Sequence, residues 1–347
     1  MTDMYSWQQE IWSKLAKRSE LLGHALLFKG KQGIGKYDFA RFFAQSLLCA
    51  TPKADQKACG ACLSCGWFEH NTHPNFFMIL PEALQIDSVE QGYKEKSEEK
   101  TTGSAMIKKN PSQHISIEQI RKLNDFVYLT GHQHGYKIVL IYRAETMNIA
   151  AANALLKKLE EPPENVLFIL VTHQAQRLLP TIRSRCQQIA MPIPDVAASI
   201  VWLKQHAIRD PQASLAAASY APLSALWLNS GEITQHYEQF IRLLSDPERL
   251  NPVSGAQMMQ QVNLPVVVNW LQQWCYDLVS YRTTGKIRYF LNQMVCIASL
   301  SEQIDLHACL AYVRTLNTSQ KLVHHPLNPR LFLEEMLINY VAMIGKK

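Results

Sequence analysis

Four of the eight cysteines crowd into one short segment and are of the right type to hold a metal ion. Their spacing ends in two consecutive C-x₂-C steps, and four thiolates complete the tetrahedral shell that zinc prefers. A shell with no open position predicts a structural ion rather than a catalytic one. A disulfide network and an iron–sulfur cluster remain alternatives at this point. The four residues are Cys49, Cys59, Cys62 and Cys65.

A glycine-rich segment at residues 30–37, GKQGIGKY, has the spacing of a phosphate loop. Backbone N–H groups of such a loop and of the helix that follows bind phosphate oxygens, and the lysine reaches the terminal phosphates. Tyr37 stands where a loop that holds Mg²⁺ carries Ser or Thr. The loop is therefore degenerate, and a glycine-rich turn that holds no nucleotide is an equal alternative. The candidate binding residues are Gly30, Gly33, Gly35 and Lys36.

A second part of a working nucleotide hydrolase is also missing. Such enzymes place an Asp-Glu pair at the tip of a neighbouring strand, where it assists the metal and polarises water. The best candidate strand, 138–141, is followed by Tyr142 and Arg143. Glu145 comes too late in the sequence, and we expect it to point elsewhere. Because two catalytic parts are altered together, the sequence predicts that the isolated chain does not hydrolyse ATP with Mg²⁺.

The composition is that of a globular chain with two or three domains. Of its 347 residues, 47% are hydrophobic and 18% are charged, which is enough apolar material for a buried core. The net charge of +6 is compatible with a nucleic-acid partner but does not demonstrate one. The first residues lack the pattern of an export signal, and no run reaches the roughly 18 apolar residues of a membrane helix. We therefore expect a cytoplasmic protein without a membrane partner.

Strands and helices alternate in the first half of the chain. Nearly continuous apolar runs, each followed by a helical pattern, are typical of a parallel sheet covered by helices on both faces. The predicted fold class is thus an α/β P-loop module, a parallel sheet with flanking helices, followed by helical domains. The strand candidates are residues 24–28, 76–80, 138–142 and 166–172.

Breaks in this pattern predict the domain boundaries. Residues 82–114 are polar and charged, so we expect a flexible surface insertion there. Pro192 and Pro194 end the α/β pattern, and apolar residues at helical spacing follow. The predicted domains are an α/β domain at 1–192 with the cysteine cluster at 49–65, a small helical lid-like domain at 193–236, and a helical collar domain at 237–347.

Two further segments resemble the signatures of a known family. Residues 153–163, NALLKKLEEPP, and residues 181–186, TIRSRC, are similar to motifs of the clamp-loader ATPases of the AAA+ superfamily. The cysteine cluster also follows the phosphate-loop helix, where bacterial clamp-loader subunits carry theirs. The resemblance is dense over residues 21–190. It implies an AAA+ module, then a small helical domain, and then a collar domain that packs with those of other subunits.

The resemblance also implies a role in which this chain need not hydrolyse ATP. The arginine of the family's S-R-C triplet is presented to the ATP of an adjacent subunit, so Arg185, next to Ser184, would act in trans as an arginine finger. Arg183 lies outside the triplet. The implied partners are the gamma/tau and delta subunits of the bacterial DNA polymerase III clamp loader, with the sliding clamp and primed DNA. A catalytic ATPase of gamma/tau type and a stand-alone zinc-containing DNA-binding protein remain alternatives.

Overall fold

The chain folds into two compact units, Met1–Ile193 and Pro194–Lys347. The computed structural model describes residues 4–16, 23–84, 111–128, 136–323 and 328–345. Pro192 and Pro194, which break the α/β pattern, lie at the division between the two units. The further separation of residues 193–236 from 237–347 stays a prediction.

The first unit is built on a sheet of five parallel strands. The four strand candidates and the α/β fold class are confirmed. The strands are β1 (Ala25–Lys29), β2 (Phe76–Ile79), β3 (Lys137–Tyr142), β4 (Val166–Thr172) and β5 (Gln187–Ala190). Across the sheet their order is β2, β3, β4, β1, β5.

Strand β4 lies at the centre of the sheet, and its composition explains why. All seven of its residues are buried, and only the last, Thr172, is polar. A strand covered on both faces needs such an apolar run. In the register of the sheet, Lys29 lies opposite Thr172 and Tyr142 lies opposite Val171. Strands β1, β3 and β4 therefore end together, and the loops that follow them meet at one edge of the sheet.

Strand β5 was not among the sequence candidates. It contains two glutamines and is mostly exposed, so no apolar run marks it. It pairs with β1 at the edge of the sheet, with Leu26 opposite Gln187. An edge strand needs partners on one side only, which allows it to be short and polar.

Helices flank the sheet, and the helix that follows β1 packs on it through aromatic rings. Phe39 and Phe43 of this helix lie edge-on against Phe28 of β1, with ring centroids 5.4 and 6.2 Å apart. This aromatic contact fixes the helix on the sheet and so fixes the loop between them. The helices of the first unit are α1 (Gln9–Ala16), α2 (Lys36–Leu48), α3 (Leu63–Glu69), α4 (Ile117–Arg121), α5 (Leu123–Tyr128), α6 (Ile149–Glu160) and α7 (Pro180–Arg185).

The ends of the polar insertion lie side by side in the first unit. The backbone N–H of Ala83 donates to Ser112 O at 3.1 Å, and the N–H of Ser112 donates to a carboxylate oxygen of Glu82 at 3.3 Å. Residues 85–110 lie outside the described residues, so the flexible insertion stays a prediction. Its points of departure and return are nevertheless fixed by these two bonds.

The second unit consists of helices, as predicted. Asn328 accepts the N–H groups of Arg330 and Leu331, and so begins the last helix at the predicted Asn-Pro start. Among the described residues, no single helix is long and apolar enough to cross a membrane. The helices are α8 (Val196–Gln205), α9 (Pro211–Ala217), α10 (Pro222–Leu228), α11 (Gly231–Ser245), α12 (Pro252–Met259), α13 (Leu264–Thr284), α14 (Met294–Gln303), α15 (Leu306–Leu322) and α16 (Pro329–Ile344).

A buried hydrogen-bond relay joins three helices at the core of the second unit. Trp274 Nε1 on α13 donates to the hydroxyl of Tyr340 on α16 at 2.9 Å, and this hydroxyl donates to Leu244 O on α11 at 2.8 Å. Trp274 and Tyr340 are fully buried. Because each polar atom has a partner, two large aromatic side chains can lie in the core without an unsatisfied group.

Candidate functional site

The candidate phosphate loop connects β1 to α2, at the edge where three strands end. Gly33 and Gly35 have φ angles of 78° and 81°, in the left-handed region that favours glycine. Gly35 is also the N-cap of α2, so its backbone turns the chain into the helix. The structure places Gly30, Gly33, Gly35 and Lys36 in one strand–loop–helix connection, which is the context that the sequence predicted.

The N-terminal segment packs against this loop, a contact that the sequence did not reveal. Gln8 Nε2 donates to Ile34 O at 3.3 Å and to Gly35 O at 2.7 Å, and Trp7 Nε1 donates to Ile34 O at 3.1 Å. The ring of Tyr5 lies 2.5 Å from the point where a Cβ of residue 35 would stand. Glycine is therefore required at position 35 by its backbone angle and by its neighbour.

Lys36 is folded back into the loop. Its side chain is 2% exposed, and its ammonium donates to Lys31 O. Burial lowers the pKa of Lys36 to about 7, and the nearby carboxylate of Glu145 partly offsets this effect. The loop thus satisfies its own lysine with a main-chain oxygen.

Tyr37 and Tyr142, which lie where a hydrolase would carry a Ser or Thr and the first strand-tip carboxylate, are in contact with each other. The ring centroids of Tyr37 and Tyr142 are 4.6 Å apart. The hydroxyl of Tyr37 donates to Met78 Sδ at 3.3 Å, and that of Tyr142 forms a hydrogen bond with His173 Nε2 at 3.3 Å. Burial raises the pKa of Tyr142, which keeps its hydroxyl neutral. Mg²⁺ prefers carboxylate and other hard oxygen ligands, and this aromatic pair supplies no carboxylate.

Glu145 lies closer to the loop than we expected. Its Oε1 accepts the backbone N–H of His173 at 3.2 Å, and its charge raises the pKa of Lys36. The expectation that Glu145 points away from the phosphate loop was wrong. Arg143 has a left-handed φ of 58° and is followed by the 3₁₀ turn Ala144–Thr146, which directs this carboxylate back towards the sheet edge. It holds the chain after β4 but does not occupy the strand-tip position.

Arg185 ends α7 and is held by its own chain. Its Nη2 forms an ion pair with Glu160 Oε1 at 2.7 Å, and its Nη1 donates to Thr181 O at 3.1 Å. About a third of the side chain, 35%, stays exposed. The neighbouring Ser184 is exposed and donates to Thr181 O at 3.0 Å. Ser184 and Arg185 of the S-R-C triplet are therefore accessible from the surface, whereas Cys186 is buried, and the guanidinium of Arg185 is bound to the end of helix α6.

The four clustered cysteines meet as the spacing predicted. Their sulfur atoms all lie within 4.8 Å of one another. The separations are 3.9 Å for Cys49–Cys62, 3.9 Å for Cys59–Cys65 and 3.7 Å for Cys49–Cys65. Four sulfurs at about 2.3 Å from one tetrahedral zinc would lie about 3.8 Å apart. The cluster therefore fits a single metal ion, and all four cysteines are free of disulfides.

Hydrogen bonds favour the thiolate form at one of these cysteines. The hydroxyl of Thr51 and the backbone N–H groups of Ala61 and Cys62 donate to Cys59 Sγ at 3.3, 3.4 and 3.3 Å. These donors lower the pKa of Cys59 to about 5. A zinc ligand must be a thiolate, and these donors favour that form at Cys59, whereas burial raises the pKa of Cys49 and of Cys65.

A chain of buried hydrogen bonds supports the cysteine cluster. Ser64 Oγ donates to Leu48 O at 2.5 Å and forms a hydrogen bond with His73 Nε2 at 2.9 Å. The Nδ1 of the same histidine accepts a backbone N–H two residues later at 3.0 Å, so Nε2 carries the proton and donates to Ser64. Leu48 precedes Cys49 and Ser64 precedes Cys65. The chain of bonds therefore holds the first and last cysteines of the cluster together.

Comparison with known proteins identifies the family. A family model described as "DNA polymerase III, delta subunit" matches residues 7–195. The DNA polymerase III subunit delta′ of Pseudomonas aeruginosa is 35% identical over 99% of this chain and 99% of that one. The chain belongs to the DNA polymerase III subunit delta′ family. The predicted resemblance to bacterial clamp-loader subunits is thereby confirmed.

Other relatives show how far the delta′ likeness extends. The delta′ subunit of Yersinia pestis is 35% identical over 93% of this chain and 90% of that one. A gamma/tau subunit, from Mycobacterium bovis, is 34% identical, but over 47% of this chain and 23% of its own length. Among solved structures, a gamma subunit-related protein of Thermotoga maritima has a TM-score of 0.46 and 18% identity, covering 96% of this chain and 99% of that one.

Proposed function

We propose that this delta′ family member is a non-hydrolysing subunit of the DNA polymerase III clamp loader. It would act while the loader places the sliding clamp on primed DNA, in a cytoplasmic complex with gamma/tau and delta. The observation that carries the proposal is the contact between Tyr37 and Tyr142, whose rings lie 4.6 Å apart. An aromatic pair at both altered positions favours a loop that has no hydrolytic metal site.

The proposed contribution of the chain to catalysis is Arg185. An arginine can place two N–H donors and a permanent charge on the γ-phosphate held by an adjacent subunit, and so stabilise the charge that builds up in the transition state. Arg185 ends a surface helix and is partly exposed. We assign it the role of the arginine finger in trans, with Ser184 beside it and the ATP held by a gamma/tau subunit.

The cysteine cluster is proposed as a structural zinc site. Its four sulfurs fit a tetrahedral ion and leave no position open for a substrate. When bound, the ion would crosslink the segment after α2 to the start of α3. The cluster would therefore stabilise the α/β module rather than take part in the reaction.

The helical second unit is proposed to join the other subunits. We assign residues 193–236 to a lid-like domain and residues 237–347 to a collar that packs with the collars of gamma/tau and delta. In this arrangement DNA contact by the isolated chain would be weak. A stand-alone zinc-containing DNA-binding protein would instead bind primed DNA tightly, with a steep dependence on salt.

The test is reconstitution with purified gamma/tau and delta, followed by measurement of complex size and of DNA-stimulated ATP hydrolysis. Arg185→Ala should leave the complex intact and lower the hydrolysis rate by at least about tenfold, since such fingers contribute about 10³-fold or more. The control is Arg177→Ala, which removes an exposed arginine of the same unit outside the triplet. An unchanged rate with Arg185→Ala at saturating DNA and clamp would refute the assignment.

A further inference from the structure

The guanidinium of Arg185 is engaged through both of its terminal nitrogens. Nη2 pairs with Glu160 Oε1 at 2.7 Å, and Nη1 donates to Thr181 O at 3.1 Å. Glu160 is the last residue of α6 and Arg185 is the last residue of α7, so the ion pair joins the ends of two helices. The side chains are 47% and 35% exposed, and a ligand from outside can therefore approach them.

We propose that Glu160 competes, within the chain, with the γ-phosphate of a neighbouring subunit for Arg185. This inference rests on the proposed function of Arg185. Parallel recognition of a phosphate requires two free N–H donors on one edge of the guanidinium. In the free chain Glu160 Oε1 is bound at Nη2 and Thr181 O at Nη1, so the carboxylate competes with an incoming phosphate for these donors. Glu160 is thus a positioning residue that holds the finger at rest.

Charge determines the direction of this effect. Glu160 and the γ-phosphate are both anions, so they repel each other if both lie at the same guanidinium. The carboxylate therefore opposes engagement of the finger as well as occupying one of its donors. Glutamine at position 160 would keep the size of the side chain and remove the charge.

The competition should be modest in size. Partly exposed ion pairs are weak and are screened by salt. Removal of the carboxylate should therefore raise the rate of ATP hydrolysis about two- to fivefold, and the gain should shrink as the salt concentration rises.

The adjacent Glu161 provides a matched control. It is exposed and follows Glu160 in the same E-E-P-P segment, and no ion pair is present at its side chain among the described residues. Glu161→Gln removes the same charge one residue away. It should leave hydrolysis at the wild-type rate.

The experiment measures the single-turnover rate of ATP hydrolysis by the reconstituted loader at saturating ATP, clamp and primed DNA. The variants are Glu160→Gln, Glu161→Gln, Arg185→Ala and the double variant of Glu160→Gln with Arg185→Ala. We expect a higher rate with Glu160→Gln alone and no such gain in the double variant, because the effect passes through the arginine. A structural role of Glu160 would not produce a gain that depends on Arg185.

The outcomes separate the two proposals. If Arg185→Ala lowers the rate while Glu160→Gln leaves it unchanged or lowers it, the proposed competition is overturned. The assignment of Arg185 as the arginine finger is then retained. If Arg185→Ala has no effect, the proposed function itself fails. If Glu161→Gln raises the rate as much as Glu160→Gln, the gain reflects general charge and the specific competition is overturned. Thermal unfolding of each isolated variant establishes that it is folded before assembly.

Discussion

Gly35 shows how a distant segment can determine one residue of the phosphate loop. A sequence motif explains its backbone angle, which turns the chain from the loop into α2. The motif says nothing of Tyr5 and Gln8, which lie far away in the sequence and pack on the loop from outside. The residue types of the candidate site were therefore predictable, whereas the contacts that surround them depend on the fold.

Replacement of Gly35 by alanine should destabilise the protein. The new Cβ would lie 2.5 Å from the ring of Tyr5, and the φ of 81° is strained for any residue with a side chain. We expect a loss of about 1–3 kcal/mol in the free energy of unfolding, measured by urea denaturation. Gly23→Ala is the control because nothing lies within 4 Å of its Cβ position. Equal stability of the two variants would contradict the packing at Gly35.

His173 should make the stability of the first unit depend on pH. Burial lowers its pKa to about 3, and the charges of Lys36 and Arg143 act in the same direction. In the unfolded chain the pKa is about 6.5. Between pH 6.5 and 3 the unfolded chain therefore binds a proton that the folded chain does not, so the free energy of unfolding falls as the pH falls through this window.

The variant His173→Gln tests this dependence because glutamine does not titrate. We expect the free energy of unfolding to decline less steeply between pH 6.5 and 3, by up to the slope that one bound proton contributes. Urea denaturation at several pH values measures this slope. His70→Gln, at an exposed histidine, is the control and should keep the wild-type slope. Identical slopes for the wild type and the His173 variant would rule out a neutral, buried imidazole.

At the scale of helices and strands, hydrophobicity determined which elements could be located from the sequence. The four apolar strands were located from sequence because strands buried on both faces carry continuous apolar runs. Strand β5 was not predicted because an edge strand can be polar. The ion pair between Glu160 and Arg185 was not predicted because it joins the ends of two helices through partly exposed side chains. The clustering of the four cysteines could be predicted because they lie close together in the sequence, whereas the zinc ion itself stays a prediction.

The cysteine cluster should bind about one zinc ion per chain. Metal analysis of the purified protein is expected to find this ion, and Cys62→Ser should lose it and lower the thermal unfolding midpoint, because the segment between α2 and α3 loses its crosslink. Cys296→Ser, at a thiol outside the cluster, should retain the metal. Purified protein that contains iron, or no metal at all, would contradict the zinc assignment.

At the scale of the whole molecule, the α/β unit combines the candidate phosphate loop with a partly exposed arginine, Arg185. The rings of Tyr37 and Tyr142 lie where a hydrolase would carry its magnesium-binding hydroxyl and its strand-tip carboxylates, and the carboxylate of Glu145 already accepts a backbone N–H. These features belong to separate strands and loops. We therefore expect that restoration of a single residue would not produce a hydrolase.

The isolated chain should hydrolyse ATP at no more than the background rate, and Tyr37→Thr should not change this. Threonine would supply the hydroxyl for Mg²⁺, but Tyr142 would still leave the strand tip without its carboxylates. Steady-state phosphate release with Mg²⁺ is the measurement, and Lys36→Ala of each form is the control for contaminating activity. Turnover that scales with this protein and disappears with Lys36→Ala would support the alternative of a catalytic gamma/tau-type subunit.

The paired backbone at Ala83 and Ser112 makes this point of the α/β unit suitable for engineering. Since the two ends are hydrogen-bonded neighbours, a fluorescent reporter or a short glycine-serine bridge could replace residues 85–110 without stretching the sheet. The entropic cost of closing such a connection grows only slowly with its length. A label at this point would report on assembly of the loader from a position fixed by the fold.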